Sequence, residues 1–180
     1  MYGMINIAIE DLIISEYGED SWQKIKQDAG IDTEGFVSMH SYPDTLTYSI
    51  VGEASKQLNI EATTLLEKIG EYWIIHTAKV GYGDLLDAAG GDIVEFLKSL
   101  NAMHSRLANI MPQMQIPTFE LSDITPKSMT IHYRSHRKGL EYMVVGLLKG
   151  LGKRFELECS IEMTDAISVE GTYQMYKLKW

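Results

Sequence analysis

The chain has 180 residues, enough for one domain or two tightly joined subdomains with a core able to enclose a cofactor-sized group. Its 25 acidic and 16 basic side chains give a net charge of −9, which argues against wrapping nucleic acid or lying on an anionic membrane. The hydrophobic share of 45% is ordinary for a globular chain, and no apolar run approaches the roughly 18 residues of a membrane span.

The opening Met1-Tyr2-Gly3-Met4-Ile5 lacks the basic-then-apolar pattern of a secretory signal. Ile5, Ala8, Ile9, Leu12 and Ile13 recur at helical spacing and predict a first helix over residues 5–15. Asp20-Ser21-Trp22 opens a second, with Asp20 or Ser21 as its cap. Residues 43–58 and 61–77 predict a third and a fourth. Gly81, Gly83, Gly90 and Gly91 mark loops around a short helix. Residues 92–111 (DIVEFLKSLNAMHSRLANIM) carry the strongest helical pattern, with Leu97, Leu100, Met103, Leu107 and Met111 on one face. The chain divides near Pro112 and Pro117. Beyond them the pattern reads strand, strand, helix, strand, strand, at residues 119–121, 128–137, 140–151, 155–163 and 172–179. Gly146 and Gly150 lower helix propensity within 140–151, so a close-packed neighbour is expected there. The fold class is α+β, with helices first and a mostly antiparallel four-stranded sheet after them. Cys159, placed on the strand 155–163, is the only cysteine. It allows no internal disulfide, fits a reducing cytoplasm and excludes a multi-cysteine zinc site.

His104 falls inside the apolar stripe of residues 92–111, so its imidazole points toward the core. Such a histidine is either hydrogen-bonded in place or bound to something. A neutral imidazole on an apolar wall is the arrangement of a proximal haem ligand. On the strand 128–137, alternation puts Met129, Ile131, Tyr133, Ser135 and Arg137 on one face and Thr130, His132, Arg134 and His136 on the other. The first face ends in two hydroxyls and a guanidinium about 7 Å apart, a row able to grip a pair of carboxylates such as haem propionates. The alternative is the wet end of an edge strand.

Together these features resemble the H-NOX family, the haem-nitric oxide/oxygen-binding sensors related to the haem domain of soluble guanylate cyclase. The likeness begins at Met1-Tyr2-Gly3-Met4-Ile5-Asn6 and includes Gly70-Glu71-Tyr72-Trp73, the helix bearing His104, and Pro117 thirteen residues later. It continues through Tyr133-x-Ser135-x-Arg137 to Gly146-Leu147-Leu148-x-Gly150 and two closing strands. The resemblance, to the stand-alone bacterial type, implies a helical distal part over 1–60 and a haem-binding proximal part over 61–180. It implies haem b ligated by His104, with propionates held by Tyr133, Ser135 and Arg137. Ile5 and Pro117 are then expected to press the porphyrin out of plane, and Trp73, Met143 and Leu147 to line its distal side. The implied protein is not an enzyme. It binds nitric oxide and carbon monoxide, loses its iron–histidine bond and changes shape. No kinase or cyclase domain occurs within the 180 residues, so the output is expected to pass to a separate histidine kinase or diguanylate cyclase/phosphodiesterase. The readings left beside it are a haem or tetrapyrrole carrier, or a structural domain without a gas response.

The residue facing the distal ligand has two candidates. In family members that stabilise oxygen, a tyrosine reaches in from the helix after Tyr-x-Ser-x-Arg. Counting nine residues on from Tyr133 gives Tyr142, and an oxygen binder. Counting three residues back from Gly146 gives Met143. Adjacent helical residues diverge by about 100°, so only one of them faces inward. The Gly146 anchor is preferred, because packing fixes helix register whereas the turn at Gly139 can absorb an insertion.

Other chemistries have less behind them. His132 and His136 share a strand face but have no further ligands beside them. His76 lies near Trp73 without a nucleophile. Asp11, Glu16, Glu19 and Asp20 read as a solvated helix end. No nucleophile elbow, phosphate loop, dinucleotide fingerprint or zinc-protease motif occurs.

Overall fold

The computed structural model describes residues 1–110, 115–168 and 171–180. Helices come first: α1 (Gly3–Tyr17), α2 (Glu19–Asp28), α3 (Asp44–Leu58), α4 (Ala62–Tyr72), a π-helical turn (Trp73–Thr77), α5 (Ala78–Asp87) and α6 (Ile93–Ile110). Then follow β1 (Thr118–Thr125), β2 (Ser128–Arg134), α7 (Glu141–Arg154), β3 (Ser160–Ser168) and β4 (Gly171–Lys179). The four strands form one antiparallel sheet in the order β1-β2-β4-β3. This is the α+β order that the sequence predicts. No helix among the described residues is long and apolar enough to cross a membrane.

Several boundaries differ from the sequence reading, each for a local reason. Helix α2 starts at Glu19 from Gly18, whose φ of 87° makes the turn, and no side chain caps it. Ser21 instead donates back to the Tyr17 carbonyl at 2.7 Å. Gly81 and Gly83 lie inside α5 rather than in a loop, because buried Ala78 and Leu86 hold that helix to the core. The backbone does break between the two glycines, at Tyr82 (φ −140°, ψ 20°). Strand β2 stops at Arg134, so Ser135, His136 and Arg137 leave the strand. There the Arg137 amide donates to Ser135 Oγ at 3.1 Å, a local turn that competes with the ladder. Helix α7 runs on to Arg154, and the chain uses 155–159 to unwind, so Cys159 precedes β3 rather than lying on it. Met111 and Pro112 lie outside the described residues.

Two apolar clusters form the interior. The first gathers Ile9, Leu12 and Ile13 of α1, Trp22 and Ile25 of α2, Ile50 and Ala54 of α3, and Leu65 and Ile69 of α4. The second joins Ile93, Phe96 and Leu97 of α6 to the inner face of the sheet at Phe119, Ile131, Tyr133, Tyr176 and Leu178. Helix α7 and the Leu140 that precedes it belong to both, giving Leu140 and Met143 to the first and Val144, Leu148 and Leu151 to the second.

The most extensive packing between described elements is that of α4 with α7, and it is made by glycines. A Cβ at Gly146 would lie 1.9 Å from the Glu67 carbonyl oxygen, and one at Gly70 would lie 2.1 Å from that of Met143. At Gly150 it would meet Ile74 Cβ at 2.8 Å. This is the close neighbour that Gly146 and Gly150 predict. Lys149 with Glu67 and Lys153 with Glu71 flank the crossing. Exposed pairs of this kind contribute at most about 1 kcal/mol, so backbone proximity decides the geometry.

Gly146→Ala should therefore lower stability by about 2–3 kcal/mol through overpacking. Gly52→Ala is the contrast, since Gly52 sits inside α3 with nothing within 4 Å of the added methyl. It should raise stability by up to about 1 kcal/mol. Urea midpoints at unchanged slope measure both.

Candidate functional site

A cavity of 270 Å³ is lined by residues of both clusters. Its walls are almost wholly aliphatic, aromatic and thioether side chains. Helix α6 presents Leu97, Leu100, Met103, His104 and Leu107 to it, the stripe read from sequence. Helix α1 and the residues before it contribute Met1, Tyr2, Met4 and Ile5. Helix α7 contributes Met143, Val144, Leu147, Leu148 and Leu151, and the π turn contributes Trp73 and Ile74. Pro117 and Phe119 close the side next to β1.

His104 is the one imidazole on this wall. Its Nδ1 is buried and has no hydrogen-bond partner among the described residues. Burial holds its pKa below the ordinary value, and the nearby Pro117 carbonyl opposes this without reaching hydrogen-bonding geometry. Burial thus favours the neutral ring, and an unpaired buried nitrogen costs about 1–3 kcal/mol. Its centroid lies 6.1 Å from that of Phe119, and Phe119 lies 5.3 Å from Tyr133.

The polar edge of the cavity is Tyr133, Ser135, Arg137 and Gln115. Tyr133 is 6% exposed, and burial holds its phenol above the ordinary pKa, opposed by the neighbouring Ser135 hydroxyl. Arg137 donates through Nε to Asp44 Oδ2 at 3.0 Å and through Nη1 to the Gln115 carbonyl at 2.8 Å. No hydrogen bond engages Nη2 among the described residues. Asp44 also takes the Met1 ammonium. Burial raises the Asp44 pKa, but its bonds to that ammonium and to Arg137 outweigh burial and hold it below the usual range.

All nine sequence-selected residues line this cavity: His104, Tyr133, Ser135, Arg137, Ile5, Pro117, Trp73, Met143 and Leu147. Of the two distal candidates, Met143 is 6% exposed and on the wall, whereas Tyr142 is 39% exposed and off it. Trp73 Nε1 is buried without a partner. The set of three donors survives the loss of the strand, because the turn after β2 carries Ser135 and Arg137 back to the cavity. His132 and His136 do not come together. His132 bridges Ser122 Oγ at 2.9 Å and the Tyr173 hydroxyl at 3.2 Å, and His136 is exposed. No group of three metal-ligating side chains forms among the described residues. His76 stacks on Tyr72 at 4.4 Å.

Sequence reasoning missed Asp44, 93 residues from its partner Arg137, and Tyr82, whose hydroxyl meets Ser38 Oγ at 2.8 Å and Met39 Sδ at 3.3 Å. Neither has a local signal. Met1 and Met4 were legible only as neighbours of Ile5. The arrangement suits a flat, apolar, metal-bearing group with acidic substituents. A neutral imidazole is available for the metal, and a cation and two hydroxyls for the acids.

Comparison with known proteins agrees. The chain is 27% identical over 165 residues to the soluble guanylate cyclase gcy-32 of Caenorhabditis elegans, which covers 89% of the chain and 24% of that protein. It is 34% identical over 91 residues to the rat guanylate cyclase soluble subunit beta-2, covering 51% of the chain and 13% of that protein. The chain thus spans about a quarter of the first of these relatives. The fold matches an H-NOX protein from S. oneidensis in the Fe(II)NO ligation state with a TM-score of 0.86 at 18% identity, covering 99% of this chain and 98% of that one. It matches the Fe(II) unliganded H-NOX protein from K. algicida with a TM-score of 0.80 at 25% identity, covering 99% and 96%. The family model described as Haem-NO-binding spans residues 2–163, and the chain belongs to that family.

Proposed function

We propose that this chain is a haem-based nitric oxide sensor, acting in the cytoplasm on a separate signalling protein. One observation carries the reading. His104, whose buried Nδ1 has no hydrogen-bond partner among the described residues, faces the same apolar cavity as Tyr133, Ser135 and Arg137. Haem b, if held by His104 with Tyr133, Ser135 and Arg137, would supply a ferrous iron able to take nitric oxide or carbon monoxide.

The chain's own residues do the rest. His104 holds the iron from α6. Arg137 offers its remaining donors to the propionates, and Asp44 and the Gln115 carbonyl orient the guanidinium beforehand. Tyr133 and Ser135 add neutral donors. Ile5 and Pro117 supply bulky apolar contacts from two separate elements. Met143 and Leu147 present no donor to the distal side. Oxygen gains from such a donor in an apolar pocket, and nitric oxide needs none. Of the two adjacent candidates on α7, Tyr142 is the one with a donor, and it faces outward. A His104 no longer held by the group would leave α6 free to relax, as a two-state element biased by a ligand. The output then passes to a histidine kinase or a diguanylate cyclase/phosphodiesterase, and no catalytic step falls to this chain.

His104→Gly should purify without haem unless imidazole is supplied. Full occupancy without imidazole overturns the ligand assignment.

Arg137→Ala should speed haem transfer to apomyoglobin by about tenfold or more, because a charge-assisted bond is lost, and Ser135→Ala by only a few-fold. Unchanged rates in both remove this edge from the site.

The ferrous protein should bind nitric oxide and carbon monoxide and hold no oxygen in air, and Met143→Tyr should confer oxygen binding. A lasting oxygenated spectrum in the native protein that disappears in Tyr142→Phe would place the wrong residue inward.

A further inference from the structure

Asn101 lies three residues before His104 on α6. Its amide makes two hydrogen bonds to one backbone residue of β1. Nδ2 donates to the Phe119 carbonyl at 2.5 Å, and the Phe119 amide donates to Oδ1 at 3.0 Å. Strand β1 is an edge strand, paired with β2 alone. The N–H and C=O of Phe119 that point away from β2 have no strand to meet. A carboxamide carries both a donor and an acceptor, so Asn101 completes the missing rung. One side chain thereby stitches the helix to the sheet.

The burial of α6 divides at this rung. Ile93, Phe96 and Leu97 are at most 2% exposed. No described side chain of α6 beyond Leu97 is buried. Past Asn101 the helix is held by what Met103, His104 and Leu107 meet at the cavity. The wall opposite that stretch is Pro117 and Phe119, the latter being the residue Asn101 grips. The rung therefore fixes the distance between His104 and this wall.

We propose that Asn101 is the positioning residue for His104 and the pivot of α6. The rung to Phe119 stays made while the turns beyond it swing, and it sets where His104 rests and how readily nitric oxide releases it. The inference rests on His104 being the iron ligand.

The test uses haem-loaded protein with nitric oxide as the probe. Asn101→Ala removes both bonds and leaves a better helix former in place, so the helix itself is not weakened. Ser99→Ala is the control. It removes hydroxyl bonds to the Ala89 and Phe96 carbonyls on the buried side of the pivot and leaves Phe119 untouched. Asn101→Ala should raise amide hydrogen exchange over residues 103–109 by about fivefold or more, the factor two net hydrogen bonds of this kind carry at the low end. Residues 93–97 should keep their protection. The iron–histidine stretching band should shift, and the share of nitrosyl protein that has released His104 should change. Ser99→Ala should leave both spectroscopic readouts in place. In His104→Gly supplied with imidazole, the ligand is no longer tethered to α6, so adding Asn101→Ala should leave the coordination spectrum unchanged. Unchanged exchange over 103–109, or an equal rise over 93–97, overturns the pivot, as does an equal spectral shift in the imidazole-supplied protein. Haem retained by His104→Gly without imidazole overturns the ligand assignment instead, and the exchange pattern in Asn101→Ala still decides the pivot.

Discussion

Two backbones meet without side chains between them where α4 crosses α7, and the cavity depends on that contact. Gly70 and Gly146 each leave room for a carbonyl of the opposite helix, and Gly150 for Ile74. Helix α7 is thereby held at one rotation and one depth. Its two faces then serve different clusters, Met143 toward the α1–α4 side and Val144 and Leu148 toward the sheet. The cavity lies where those clusters fail to close on each other. A larger residue at either contact would move a whole wall, not one side chain.

The same contact decides which of two neighbouring residues faces inward. Gly146 sits three residues after Met143, so fixing the glycine fixes the methionine. Tyr142 is carried outward by the same rotation. Any change of length between β2 and α7 has to be taken up in the connecting loop, where Gly139 has a φ of 81°. The pocket's polarity is thus protected from changes in the loop that precedes it.

Much of this was legible in the sequence because it is periodic. The stripe of Leu97, Leu100, Met103 and Leu107 names a helix face, and His104 is read from its place among them. Gly146 and Gly150 announce a close neighbour because glycine inside a helix is costly. Tyr133, Ser135 and Arg137 were found by a strand alternation that the structure ends at Arg134. Tyr133 lines the cavity from the strand, and Ser135 and Arg137 line it through a turn that no period describes. Asp44 and Asn101 were not legible. Each acts on a partner far along the chain, Arg137 and Phe119, and neither belongs to a pattern. The π turn was hidden for a related reason: residues 61–77 read as one helix, and a single surplus residue barely alters an apolar period.

That surplus residue has a geometric consequence downstream. In the π turn, the Ala78 amide reaches back five residues to the Trp73 carbonyl instead of four. The turn acts as a one-residue insertion stored within a continuous helix. The first turn of α5, before the break at Tyr82, is displaced by about 100° about the axis and 1.5 Å along it relative to an uninterrupted α4. Tyr82, Leu85 and Leu86 reach the cavity at and beyond that break, so the π turn and the break together set their direction. Deleting one residue between 73 and 77 would take out the surplus residue and leave every later side chain chemically intact, yet turn the segment that carries them by about 100°.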